Sequence, residues 1–296
     1  MPGSGPLTPV SAIAAGQPVE GVYAVRRKER RLSRAGKPFL AVTLSDATGA
    51  VSAFVFDEPD FFAGQFEEGD RVLVTGRATE RDGRLSVTIS HLRQAPADTG
   101  AEQLLPRSHR DPDELWGFVL HLADEVGDRG LRRLLDALTG DEALARDWRT
   151  MPCTRSGHHA YMGGLVEHTV GVASVVQALA VWHPRLDADL LLAAALVHDV
   201  GHARAFRLGA TFELTDEGRL LGHLAIGHEI VGDAARRAGL PELRRAELLH
   251  AVDWHHGPPA GQAPGVASAE ALALWRANQL ETGVKARLEG PGPSDV

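Results

Sequence analysis

The chain changes its hydropathy pattern once, near residue 95, and that change limits the fold more than any other feature. From about residue 18 to 95 the apolar residues fall in short runs rich in Val, Thr and Phe with partial two-residue alternation: VEGVYAVRR, FLAVTLSD, AVSAFVFD, DRVLVTGRATE and RLSVTISHL. Each run reads as a β-strand. Turn signals separate them at Ala35-Gly36, Asp46 to Gly49 and Arg81-Asp82-Gly83. An open sheet this small would leave its edges unprotected, so a closed barrel is expected, with the OB-fold as its most economical form. Beyond residue 111 the periodicity turns helical. Asp111-Pro112-Asp113-Glu114 supplies a cap residue, a first-position proline and first-turn acids. Further helices are expected near 129–138, 141–149, 164–182, 187–200, 220–238, 241–254 and 268–288. The expected architecture is multidomain: a flexible N-terminus over 1–17, an all-β OB-fold barrel over 18–95, a linker over 96–111, and an all-α domain over 112–290.

A length of 296 residues suits two domains. The net charge of −8 excludes a protein that is basic throughout and coats nucleic acid non-specifically, although a local basic patch is compatible with it. The single cysteine, Cys153, excludes a disulfide within the chain and zinc sites built on two or more cysteines. The longest uninterrupted apolar run, Leu190 to Val197, is far short of the ~18 residues that span a bilayer. The N-terminus lacks a cationic start and an apolar signal core, so a soluble cytoplasmic protein is expected.

The histidines carry the chemistry. Eleven of the fourteen lie between His158 and His256. Most sit beside polar residues at expected helix ends, an unsuitable place for core-filling side chains. For any one histidine a structural role is the default, and His183 and His228 are read that way; His250 is undecided. His198-Asp199 is different, because it ends the apolar helix DLLLAAALV and delivers an imidazole and a carboxylate together. Combined with His168, His223, His255 and His256 it forms a ligand set suited to Mn, Fe, Co, Ni or Zn, and a bridging aspartate can hold two ions. His158, His159 and His202 flank this set as outer-shell or substrate contacts.

The segments SGHHAYMGGLVEHTVG, LLLAAALVHDVGHARAF, ELTDEGRLLGHLAIGHEIV and WHHG, in that order, resemble the HD-domain phosphohydrolases. With the barrel ahead of them they resemble more closely the YhaM-type 3'-5' exoribonucleases, which join an OB-fold to an HD domain. The resemblance implies His168, His198 and Asp199 as ligands of a first metal, and Asp199 as the bridge to a second held by His223, His255 and His256. It implies two divalent transition-metal ions (Mn, Co, Fe or Ni), hydrolysis of phosphodiesters with Asp199 at the catalytic centre, and release of 5'-mononucleotides from single-stranded RNA or DNA. Two positions depart from the family pattern. Asn278 stands where a metal-binding aspartate is expected, and a neutral amide is a poorer ligand for a dication; Glu281 or Asp253 are the nearby acids that can supply the missing charge. His202 stands where a phosphate-steadying lysine is usual, with a protonated His202 or Arg204 as its replacement.

In the barrel, residues 26 to 37 hold seven basic residues (Arg26, Arg27, Lys28, Arg30, Arg31, Arg34 and Lys37) against one acid. They are expected at the end of the first strand and in the following loop, where OB-folds contact single strands. Tyr23, Phe39, Phe54 and Phe56 are available for base stacking, with Tyr23 and Phe39 singled out; Phe54 and Phe56 share a face, and in a barrel this small at least one facing set must fill the core. A hydrolase of nucleotides or cyclic nucleotides, and a nucleic-acid-binding protein whose site has decayed at Asn278, stay open as alternatives. A homo-oligomer is compatible with the helical surface, and no sequence feature selects one.

Overall fold

The structure is a computed structural model that describes residues 8–33, 35–81, 83–96, 104–155, 157–258 and 268–289. The chain divides into two compact units, Met1–Pro106 with Leu208–Glu213, and Arg107–Arg207 with Leu214–Val296. Residues 1–7 of the expected lead-in and 97–103 of the expected linker lie outside the described residues.

In the first unit, β1 (Pro18–Leu32), β2 (Pro38–Asp46), β3 (Gly49–Val55), β4 (Arg71–Arg81) and β5 (Arg84–Gln94) close a barrel in the order β1-β2-β3-β5-β4. All neighbours are antiparallel except β3 and β5. β1 closes the ring because it serves two partners along its length. Pro18–Ala24 pairs with β4 and Ala24–Leu32 with β2, with a register shift between Val25 and Arg27. A bulge at such a point bends and twists the strand enough to turn the corner. Leu40, Val42, Leu44, Val51, Ala53, Val55, Val72, Val74 and Val87 fill the interior, as strand alternation requires. A short helix, α1 (Pro59–Ala63), lies between β3 and β4.

Two aromatic expectations exchange places. Tyr23 is only 1% exposed, packs over Gly21 and donates its hydroxyl to Thr8 O at 2.5 Å, so it belongs to the core and offers no face to a base. Phe54 and Phe56 sit outside the core, which on β3 is filled by Ala53 and Val55. The volume of the small barrel explains the exchange. One long ring lying over a glycine fills space that paired phenylalanines would overfill.

The second unit is helical: α2 (Pro112–Glu125), α3 (Arg129–Thr139), α4 (Glu142–Thr150), α5 (Gly164–Trp182), α6 (Ala188–Val197), α7 (His202–Ala205), α8 (Asp216–Arg237), α9 (Glu242–Asp253) and α10 (Ala269–Glu289). Aspartates 111, 128, 141 and 187 cap α2, α3, α4 and α6 by accepting first-turn N–H groups, the N-terminal satisfaction a helix needs. Every residue of α6 from Leu190 to Val197 is buried, which its all-round apolar sequence demands. α5 is long and apolar enough by composition to cross a bilayer, a point the count of uninterrupted apolar residues missed. Here it packs against α2, α4, α6 and α10. A hairpin absent from the sequence reading, β6 (Phe206–Leu208) and β7 (Phe212–Leu214), follows α7, and its tip groups with the barrel unit, where Ala210 packs with Ala24 and Leu104.

Two glycines place the later site residues. Gly222 has φ +73° and interrupts α8, so His223 starts a new helical segment. Gly201 follows the α6 turn, and a Cβ there would lie 2.0 Å from His223 O and 2.7 Å from Gly227 N. Only hydrogen fits between these backbones. Gly201→Ala is expected to cost about 1–3 kcal/mol through overpacking, read from urea denaturation, and to weaken metal binding that involves His223.

Candidate metal centre and nucleic-acid interface

The buried helix α6 ends by presenting His198 and Asp199 in the turn that follows it. Asp199 is 3% exposed, and its two oxygens face different imidazole sets. Oδ2 lies 3.4 Å from His168 Nε2 on α5 and 3.5 Å from His198 Nε2. Oδ1 lies 3.1 Å from His255 Nε2 and 3.6 Å from His223 Nε2. His168 and His198 bring their Nε2 atoms within 3.1 Å of each other, and His223 and His256 bring theirs within 3.0 Å. All six residues singled out from the sequence as a ligand set therefore converge, although nearly ninety positions separate the first from the last.

The tautomers point the same way. His198 Nδ1 donates to Ala195 O, His255 Nδ1 to Val252 O, and His168 Nδ1 to the Glu281 carboxylate at 2.6 Å. Each Nδ1 carries the hydrogen, which aims the Nε2 lone pair into the centre. At 3.1 Å the two Nε2 atoms need a positive charge between them, a proton on His168 or a bound cation. Asp199 Oδ1 and His255 Nε2 are buried without a hydrogen-bond partner, as is Asn278 Oδ1. Orphaned donors of this kind fit a cation. Among the described residues, Asp199, His223, His255 and His256 form one compact ligand group, and Cys153, His168 and Asp199 another.

The electrostatics keep most of these donors free of protons. Burial pushes His198 well below its ordinary value, lowers His223, and takes His256 down to about 4. Burial opposes the ionised form of Asp199, but the surrounding imidazoles outweigh it and hold the carboxyl well below the usual range. His168 runs the other way. Burial acts to lower it, yet the Glu281 hydrogen bond and the charges of Asp199 and Glu281 raise it overall.

Of the two expected phosphate-steadying cations, one loses its charge and the other is ion-paired. His202 is buried, stacked on His223 with ring centroids 4.0 Å apart, and burial takes it down to about 3, so it is neutral near pH 7 and cannot replace a lysine's charge. Arg204 is engaged by Glu217 at 2.6 Å. Asp253 pairs with His228 at the surface, while His250 Nε2 accepts the backbone N–H of Ser268. Asn278 is buried and donates to His255 O at 3.0 Å, leaving Oδ1 as a neutral oxygen donor.

Glu281, named from sequence only as a nearby acid, holds both inner and outer histidines. One oxygen meets His168, and the other lies 2.9 Å from Nε2 of His159, which is fully buried. Tyr161 links His159 onward to Glu167, which Lys285 also binds at 2.6 Å. His158 is half-buried, with its carbonyl accepting from Thr154 Oγ1. Cys153 went unread as a ligand because a single cysteine carries no spacing pattern. Its Sγ lies 3.4 Å from Asp199 Oδ2.

The basic segment of the barrel is mostly strand and largely paired. Lys28 is tied to Phe66 O and Glu67, and Arg30 to Asp60 at 2.6 Å, because both point to the side of β1 that α1 and its following loop cover. Arg27 and Arg31 flank Glu29 on the opposite side and pair with it. Arg26 and Lys37 are exposed; Arg34 lies outside the described residues. Register places Arg31 opposite Phe39, Glu29 opposite Ala41, and Arg27 opposite Thr43, while Phe54 is opposite Ala41 on β3. Phe39, Phe54 and Phe56 cluster with centroids 5.8 to 6.1 Å apart, and Phe56 is 53% exposed. The outer barrel face is thus an aromatic surface edged by arginines.

Residues 165–287 match the HD domain family, and residues 22–95 match the tRNA anti-codon family, an OB-fold nucleic acid binding domain. The 3'-5' exoribonuclease YhaM of Halalkalibacterium halodurans is 27% identical over 243 residues, covering 81% of this chain and 75% of that protein. The protein of the same name from Shouchella clausii is 26% identical over 264 residues, covering 88% and 82%. With the two domains in this order and such relatives matching over most of its length, the chain is similar in sequence and domain order to the YhaM-type exoribonucleases.

Proposed function

We propose that the chain is a metal-dependent 3'-5' exoribonuclease that binds a single strand on its barrel and releases 5'-mononucleotides at the helical domain. The observation that carries the hydrolase reading is the placement of Asp199, one oxygen toward each of two imidazole sets. Such a centre suits two ions, His168, His198 and Asp199 holding one and Asp199, His223, His255 and His256 the other. Divalent cations bound there supply Lewis acidity toward a phosphodiester and its attacking water. The protein's own part is orientation. The Nδ1 hydrogen bonds hold His168, His198 and His255 in one tautomer, and Asp199 is kept ionised. His202, neutral and packed on His223, offers a hydrogen bond rather than a charge to a phosphate or water.

RNA binding by the barrel rests on Phe39, Phe54 and Phe56 together with Arg27 and Arg31. A single strand exposes bases that stack on such rings, and its phosphates are attracted by basic side chains that offset the repulsion of a net-acidic protein. Similarity to the exoribonucleases of Halalkalibacterium halodurans and Shouchella clausii supports RNA as substrate.

Incubation of 3'-labelled and 5'-labelled single-stranded RNA with Mn²⁺ tests this reading. Stepwise shortening from the 3' end is expected, and it should vanish in Asp199→Ala while RNA is still retained. Internal cuts, or turnover of small nucleotides alone, would defeat it. Phe39→Ala and Phe56→Ala should each weaken RNA binding by about 1–3 kcal/mol if a base stacks there, and Arg31→Ala should reduce the salt slope by about 1; filter binding across a salt series measures both.

The pH dependence of metal binding follows from the opposite shifts at the two groups. A raised His168 keeps a proton on Nε2 to higher pH, so falling pH sets protons against metal at the first group early. His256, near 4, leaves the second group open throughout the same range. Calorimetric Mn²⁺ titrations at pH 8 and pH 6 should show one binding step weakening and the other nearly constant. An equal loss at both steps would contradict the assignment.

A further inference from the structure

We infer that Cys153 is a ligand of the first metal group, making it a His168, His198, Asp199 and Cys153 set that prefers a borderline-soft divalent ion, Zn²⁺, Co²⁺ or Fe²⁺, over Mg²⁺ or Mn²⁺. This rests on the metal-centre reading above and specifies its chemistry. Three observations carry it. The first is geometry. The separations Nε2 to Nε2, the two Nε2 to Oδ2 and Sγ to Oδ2 are 3.1, 3.4, 3.5 and 3.4 Å. Donors bound tetrahedrally at about 2.0–2.3 Å stand roughly 3.3–3.7 Å apart, so these four separations, each involving Asp199 Oδ2 or the imidazole pair, are close to those of a coordination shell. The sulfur also lies within 4.8 Å of the His168 ligand atom.

The second observation is charge. The first group otherwise has two neutral imidazoles, the neutral and unpartnered oxygen of Asn278, and a half share in Asp199. Two dications over one carboxylate leave a large buried excess of positive charge, which a site of this depth cannot tolerate. Glu281 relieves it only through His168. A thiolate at Cys153 supplies an anionic ligand in direct contact, with the thiol proton passing to the buffer as the sulfur–metal bond replaces the S–H···Oδ2 contact. The third is placement. Cys153 is 3% exposed in the loop between α4 and α5, and its backbone N–H is held by His159 O at 3.1 Å. The backbone is held in place, and in this position the sulfur contacts Asp199 Oδ2. Sulfur beside imidazole selects softer ions than an oxygen-rich set does.

Cobalt gives a direct reading, because the chain has no other cysteine and any thiolate-to-cobalt charge-transfer band in the near ultraviolet belongs to Cys153. Co²⁺ titration of the full-length protein is expected to produce that band with the tighter-binding equivalent, and Cys153→Ser should abolish it. The same substitution should weaken Co²⁺ and Zn²⁺ at the first group by at least the roughly 10-fold to 100-fold that loss of an outer-shell partner costs. Mn²⁺ binding at the second group should be unchanged, and circular dichroism should confirm the fold. Calorimetry distinguishes the two possible failures. Co²⁺ bound in two equivalents without the band overturns the cysteine ligand and leaves the metal centre intact, whereas no Co²⁺ binding to the wild type overturns both.

Discussion

A carboxylate has been taken out of water at Asp199, and the helical domain is organised around what that requires. A buried anion is costly unless it is paired and hydrogen-bonded. Here it is surrounded by imidazoles from α5, the α6 turn, α7, α8 and the turn after α9, all within 3.8 Å of one of its two oxygens. Three of them, His168, His198 and His255, already donate through Nδ1 and turn Nε2 toward it, an arrangement that a cation would complete. The site stores a demand for metal, which is what distinguishes it from a neutral hydrogen-bonded core.

Rigid neighbours keep that arrangement from relaxing. α6 is buried along its apolar length, so its terminal His198-Asp199 cannot fray toward solvent. Gly201 lets the following turn press against the α8 backbone, and the break at Gly222 re-aims the chain so that His223 enters from the far side. α10 adds the outer layer through Glu281, whose two oxygens orient His168 and His159. A carboxylate behind a metal-facing histidine fixes its tautomer and raises its basicity, so a helix lacking an acid at Asn278 still adds negative charge to the centre.

Much of the site was legible because its residue types are rarely found together by accident. Histidine and aspartate at the end of an apolar helix, with further histidines at other helix ends, single out a candidate ligand set without coordinates. The positions that misled were those where one residue type suits two environments. Tyr23 and Phe54 are both plausible in a barrel core or on its face, and only the closeness of Gly21 gives the tyrosine its place inside. His202 reads as a cation until its burial beside His223 is seen. Lys28 and Arg30 read as free cations until Glu67 and Asp60 are found next to them.

Local pattern, therefore, determined the main run of strands and then helices, the Asp111 cap and the candidate set of imidazoles, because alternation, helical periodicity and capping chemistry are properties of neighbouring residues. Tertiary structure alone decided which charges are already neutralised, which aromatics reach solvent, and that Glu281 and Cys153 stand beside His168 and Asp199. Those outcomes depend on distances between segments far apart in the chain, and burial, dielectric and pairing are set by the atoms that folding brings around a group.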